Sequence, residues 1–111
     1  MTWELTIIVI VKRTGTLAIR VSPVEVGDGK KESALLIFRS RVEAQAFRED
    51  LKLFAGYGIV GVDEARIAGL LGTYDLRWVA LADSWDEGGE VVATTFDGDR
   101  FLKLLDEGFK D

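Results

Sequence analysis

The sequence predicts an α/β domain, leaning towards α+β, with a mixed sheet of about five to six strands and about three helices in the order β-β-β-α-β-α-β-β-α. Three observations point there. Short runs rich in β-branched residues alternate with segments whose apolar residues recur at helical spacing. Strand-then-helix units imply parallel neighbours joined by crossovers, and two hairpins add antiparallel pairs. The 111 residues, 48% apolar and 30% charged, suffice for one cored domain over 1–111 and are too apolar for a disordered chain.

Trp3 to Lys12 reads as a strand, with Trp3, Leu5, Ile7, Val9 and Val11 on one face and Ile8 and Ile10 on the other. A strand apolar on both faces belongs inside a sheet. Arg13-Thr14-Gly15 then turns the chain into a hairpin partner in which Leu17, Ile19 and Val21 alternate with Ala18 and Arg20. Pro23 ends that strand or sits on its free edge. Gly27-Asp28-Gly29-Lys30-Lys31 is a polar turn, and the apolar run Ala34–Phe38 after it fits a fully buried strand.

Ser40 with Glu43 three residues on is a capping box. The helix it opens carries Ala44, Phe47, Leu51 and Phe54 on one face and is ended by Gly56 and Gly58. Ile59–Val62 is a short strand, and Asp63 caps a helix through Leu71, with Gly72 at its C-cap. Arg77–Ala82 and Glu90–Phe96 are strands, joined by a loop over 83–89. Asp97 caps a final helix whose one face carries Phe101, Leu102, Leu105 and Phe109.

There is no histidine and no cysteine. Those side chains carry most general-base, nucleophilic and transition-metal chemistry near neutral pH. A cysteine-free chain has no disulfide framework, which suits a reducing cytoplasm. The N-terminus lacks the basic stretch of a signal peptide, and the apolar run from Leu5 to Val11 is too short to span a bilayer. The net charge of −5 is uneven: residues 1–55 carry nine basic and seven acidic groups, residues 56–111 five basic and twelve acidic. The acidic second half would repel phosphates, so neither nucleic acid nor membrane is an expected partner.

The polar motifs read mainly as structure. Asp83, Asp86, Glu87 and Glu90 around Trp85 suggest a divalent-cation site or a carboxylate pair, but they match no EF-hand spacing. A solvated turn accounts for them as well. Asp97-Gly98-Asp99 is explained by helix capping, Gly27–Lys31 lacks the Walker spacing, and Gly56-Tyr57-Gly58 follows a helix rather than a strand. No cofactor is implied. The aromatics offer more: Arg77, Trp78, Trp85, Asp86 and Glu87 form the candidate ligand or partner contact. The competing reading places Trp78 in the core and folds Trp85 over the sheet edge.

The stretch Leu35–Phe47, an apolar strand ending in Phe38 followed by a capped helix with Glu43-Ala44 and Phe47, resembles SseB-type (enhanced serine sensitivity) domains. The similarity covers residues 33–83 and implies a small α/β domain used for association, without established catalytic residues. The reading that follows is a non-catalytic cytoplasmic accessory protein that self-associates as a dimer or binds another protein. Its rival is a small-molecule-binding or carboxylate-dependent enzyme domain built on the Trp85 loop. If the helices cover one face of the sheet only, the bare apolar face calls for a second copy.

Overall fold

The computed structural model describes residues 4–107 except 13, 16 and 53–55. Trp3, Arg13, Phe54 and Phe109, which the sequence assigns to a strand, a turn and two helix faces, lie outside the described residues. The chain opens with the expected hairpin: β1 (Thr6–Val11) pairs antiparallel with β2 (Leu17–Ile19), Val9 opposite Ile19. At Arg20, whose N–H donates to the Ile8 carbonyl, the second strand changes partner. Its continuation, β3 (Val21–Val26), pairs instead with β4 (Lys30–Ile37). Pro23 therefore does not end a strand; it sits within β3, which lies at the end of its sheet, where no ladder bond from the outer side is lost.

This change of partner divides the expected single sheet in two. One sheet has the order β2-β1-β5 and the other β3-β4-β6-β7, giving seven strands among the described residues rather than five to six. Thr6 and Phe38 exchange both backbone hydrogen bonds and stitch the two sheets together. β5 (Tyr57–Gly61) lies antiparallel to β1, whereas β6 (Trp78–Trp85) lies parallel to β4, Ile37 opposite Leu81. Of the strands that follow helices, only β6 thus makes the parallel pairing. β7 (Val91–Asp97) closes an antiparallel hairpin with β6 and forms the sheet end.

Three helices lie among the described residues: α1 (Arg41–Asp50), α2 (Glu64–Thr73) and α3 (Gly98–Glu107). The expected N-caps form: Ser40 Oγ accepts from the Glu43 N–H at 3.2 Å, and Asp63 Oδ1 from the Arg66 N–H at 2.8 Å. The C-termini differ from expectation. α1 stops before its predicted glycines, with Lys52 already at φ 55°, and α2 runs past Gly72, with Asp75 at φ 52°.

The helices cover both faces. Leu5, Ile7, Val9, Leu35, Ile37, Val79 and Leu81 point to one side, where Ile67 and Leu71 of α2 and Phe101 of α3 meet them. The intervening residues Ile8, Ala34, Leu36, Phe38, Ala80 and Ala82 point to the other, where Ala44 and Phe47 of α1 pack. Period-two alternation through strands apolar on both sides thus builds two cores back to back. Among the described residues no bare apolar sheet face is left to demand a second copy. No helix among the described residues is long and apolar enough to cross a membrane.

Candidate functional site

The candidate residues fall at the two ends of β6. Trp78 opens the strand and Trp85 closes it, about 23 Å apart at the usual rise per residue. Arg77 and Trp78 therefore do not share a site with Trp85, Asp86 and Glu87.

At the far end, the strand continues three residues beyond its predicted limit at Ala82. A β-bulge makes this possible. Ala82 pairs with Ala93 and Ser84 with Val92, so Asp83 is the extra residue. One inserted residue reverses the in–out phase of everything after it. Trp85 thereby joins Trp78, Ala80 and Ala82 on the α1 face instead of pointing away from it. Its ring meets Phe38 and Phe47 edge-on, with centroids 6.0 and 5.3 Å away. Its Nε1–H donates to Asp50 Oδ2 at 2.8 Å, tying the strand end to the C-terminus of α1.

The bulged Asp83 is held by Arg39, whose guanidinium Nη2 lies 2.5 Å from Oδ1 and whose Nη1 donates to the Ala82 carbonyl at 2.8 Å. The Thr94 hydroxyl donates to Asp83 Oδ2 at 2.9 Å. Partial burial pushes the Asp83 carboxyl up, but the Arg39 hydrogen bond, the Thr94 hydroxyl and the Arg39 charge together outweigh it and hold the group below its ordinary value.

The predicted seven-residue loop contracts to a turn over 86–90. Asp86 Oδ1 accepts from the Gly88 and Glu90 N–H groups, both at 2.9 Å, and its backbone N–H donates to the Glu90 carbonyl. This is the local side-chain-to-backbone bonding that makes Asp a turn residue. Gly89 has φ +86°, and a Cβ there would stand 3.2 Å from Leu51, so the turn needs glycine for conformation and for room. Glu87 stands exposed on this turn. A shallow recess of about 350 Å³ is lined by Asp50, Trp85, Asp86 and Glu87. Among the described residues no three His, Cys, Asp or Glu side chains are grouped so as to hold a metal ion.

At the near end, Trp78 donates its Nε1–H to Glu32 of β4 and lies beneath the Arg77 guanidinium, 5.0 Å from ring centre to Cζ. Arg77 also pairs with Asp97 at 3.3 Å, with 72% of its side chain exposed. It borders a groove of about 550 Å³ between α2 and α3, together with Leu71, Gly72, Asp97 and Leu102. Asp97 does double duty, since its Oδ1 accepts from the Asp99 N–H in the first turn of α3.

Four partners were not singled out from sequence: Glu32, Asp50, Arg39 and Thr94. A signal existed for Arg39 alone. Aligning the apolar runs Ala34–Phe38 and Val79–Ala82 as parallel neighbours sets Arg39 beside Asp83. Glu32 and Asp50 reach their indoles through chain separations of 46 and 35 residues that no local pattern encodes.

These arrangements define a two-core α/β domain with a turn-capped β6–β7 hairpin. No protein-family model, curated protein or solved structure matches the chain.

Proposed function

We propose that this domain is a non-catalytic accessory protein that works by association, including association with its own copy. One observation carries the reading: apart from the exposed Glu87, the polar side chains in and around the candidate site are bonded within the fold. Asp86 holds its own turn, Asp50 holds Trp85, Asp83 holds Arg39 and Thr94, and Asp97 holds Arg77 and the start of α3. A general acid would need a raised carboxyl pKa, and the shift at Asp83 runs the other way. Large apolar side chains meanwhile stand on surface strands, Leu17 at 58% and Val92 at 62% exposure. The SseB-type resemblance of residues 33–83 favours the same reading, and a reducing cytoplasm suits a chain without cysteine.

Sedimentation velocity from low to high micromolar concentration tests this. A sedimentation coefficient that rises with concentration is expected; a monomer throughout refutes self-association. A thermal-shift panel of metabolites and divalent cations tests the rival. A stabilisation that both Trp85→Ala and Glu87→Ala abolish would replace the association reading with a ligand site at the turn.

A further inference from the structure

Resting on the reading of self-association, we infer that the outer edge of β7 is the contact, and that it takes the β7 strand of a second copy in antiparallel register. β7 ends its sheet, and no other strand among the described residues pairs with its outer side. Such an edge offers a row of backbone donors and acceptors to any extended chain. Soluble proteins blunt it with charge, proline or brevity. Two of the other sheet ends carry those devices, since β3 has Pro23 and Glu25 and β2 is three residues long; β5 carries no charge or proline but is shorter than β7, five residues with Gly58 and Gly61 among them. β7 has none of them between Val91 and Phe96, where the sequence is Val-Val-Ala-Thr-Thr-Phe.

The strand is also self-complementary. On the side of the α2–α3 core its residues are Val92, Thr94 and Phe96, apolar at both ends with threonine in the middle. A two-fold axis at Thr94 sets Thr94 against Thr94 of the second copy, and Val92 against its Phe96. Val92, the most exposed side chain of β7's large apolar set, gains an aromatic neighbour. On the other side Thr95 meets Ala93. Glu90 falls opposite Gly98 and Asp97 opposite Val91, so no like charges face each other directly, although this half of the chain is acidic. The occupant is a second copy because this register sets the exposed Val92 of each strand against the Phe96 of the other, on the same side of the sheet, without opposing like charges.

The absence of native cysteine gives a clean test. Thr94→Cys and Val92→Cys are made separately and oxidised, and the products are resolved on a non-reducing gel. Facing Cα atoms in an antiparallel pair fall within disulfide reach, whereas positions four residues apart do not. The expected result is a disulfide dimer with Thr94→Cys and little with Val92→Cys. In parallel, Val92→Lys should weaken dimerisation by about tenfold or more in sedimentation, with an unchanged thermal melt of the monomer. A chain that dimerises while Val92→Lys dimerises equally well overturns the β7 contact and leaves self-association standing. A monomeric wild type overturns both.

Discussion

The two faces of the sheet solve the same problem with different side chains. The face under α2 and α3 is mainly aliphatic: Ile7, Val9, Leu35, Ile37, Val79 and Leu81 meet two helices, with one ring pair, Phe96 and Phe101, 5.4 Å apart at its β7 side. The face under α1 is lined by alanines, Ala34, Ala80 and Ala82, beside an aromatic group of Phe38, Phe47 and Trp85. Small strand residues let a single ten-residue helix with Ala44 and Phe47 approach closely, and rings fill what remains. The first core therefore rests on many interchangeable aliphatic contacts, and the second on a few large ones. The domain is vulnerable at different points on the two faces: loss of one ring should open the α1 face, whereas the other face is sensitive where backbone and side chain crowd.

The largest effect should come from Phe47→Ala. Phe47 is fully buried and contacts Phe38, Trp85 and the guanidinium of Arg20. A loss of about 3–5 kcal/mol is expected in urea denaturation, enough to unfold the α1 face first. Hydrogen exchange that showed both cores opening together would break the distinction between them. Next, Ala80→Leu should cost about 1–3 kcal/mol by overpacking beneath α1, since Ala80 has no exposed surface. Gly98→Ala tests the opposite face. Its Cβ would stand 2.9 Å from Leu71 Cδ1 and 3.1 Å from the Arg77 carbonyl oxygen, and a thermal melt should show a loss of about 1–2 kcal/mol. Trp85→Phe keeps the ring against Phe47 and removes the bond to Asp50, so about 0.5–1.5 kcal/mol is expected by the same measurement.

The smallest effect concerns pH. Asp83 is held below its ordinary value of 3.8, so its ion pair with Arg39 contributes stability above that pH and loses it as pH falls through the folded-state value. Denaturation curves between about pH 5 and about pH 2 should therefore show an acid-side decline that Arg39→Met reduces. An identical decline in the variant would remove Asp83 from the account.

Most of the secondary structure was legible because its signals are local. Ser40 and Asp63 mark helix starts through bonds that span three residues, and the alternation in Thr6–Val11 and Ala34–Phe38 reports burial on both sides. The site was legible only in part. Trp85 and Asp86 stood out as residue types, yet the bulge at Asp83 that aims the indole inward leaves no mark in the pattern, because it depends on the offset between two paired strands. The strand through Leu17, Ile19 and Val21 likewise read as one element. Its division at Arg20 arises because β1 and β4 share it end to end, which is a property of three strands together.

Local pattern and composition were enough for the class of fold, for the order of its elements except the division of the second strand, for the helix N-caps and for the removal of histidine and cysteine chemistry. All of these follow from interactions within a few residues or from composition alone. The division of the sheet in two, the helices on both faces, and the placing of the two tryptophans of β6 at opposite ends with different partners arise only in the folded chain. Those outcomes depend on strand register and on contacts across 35 or more residues, where a shift of one residue exchanges one face for the other.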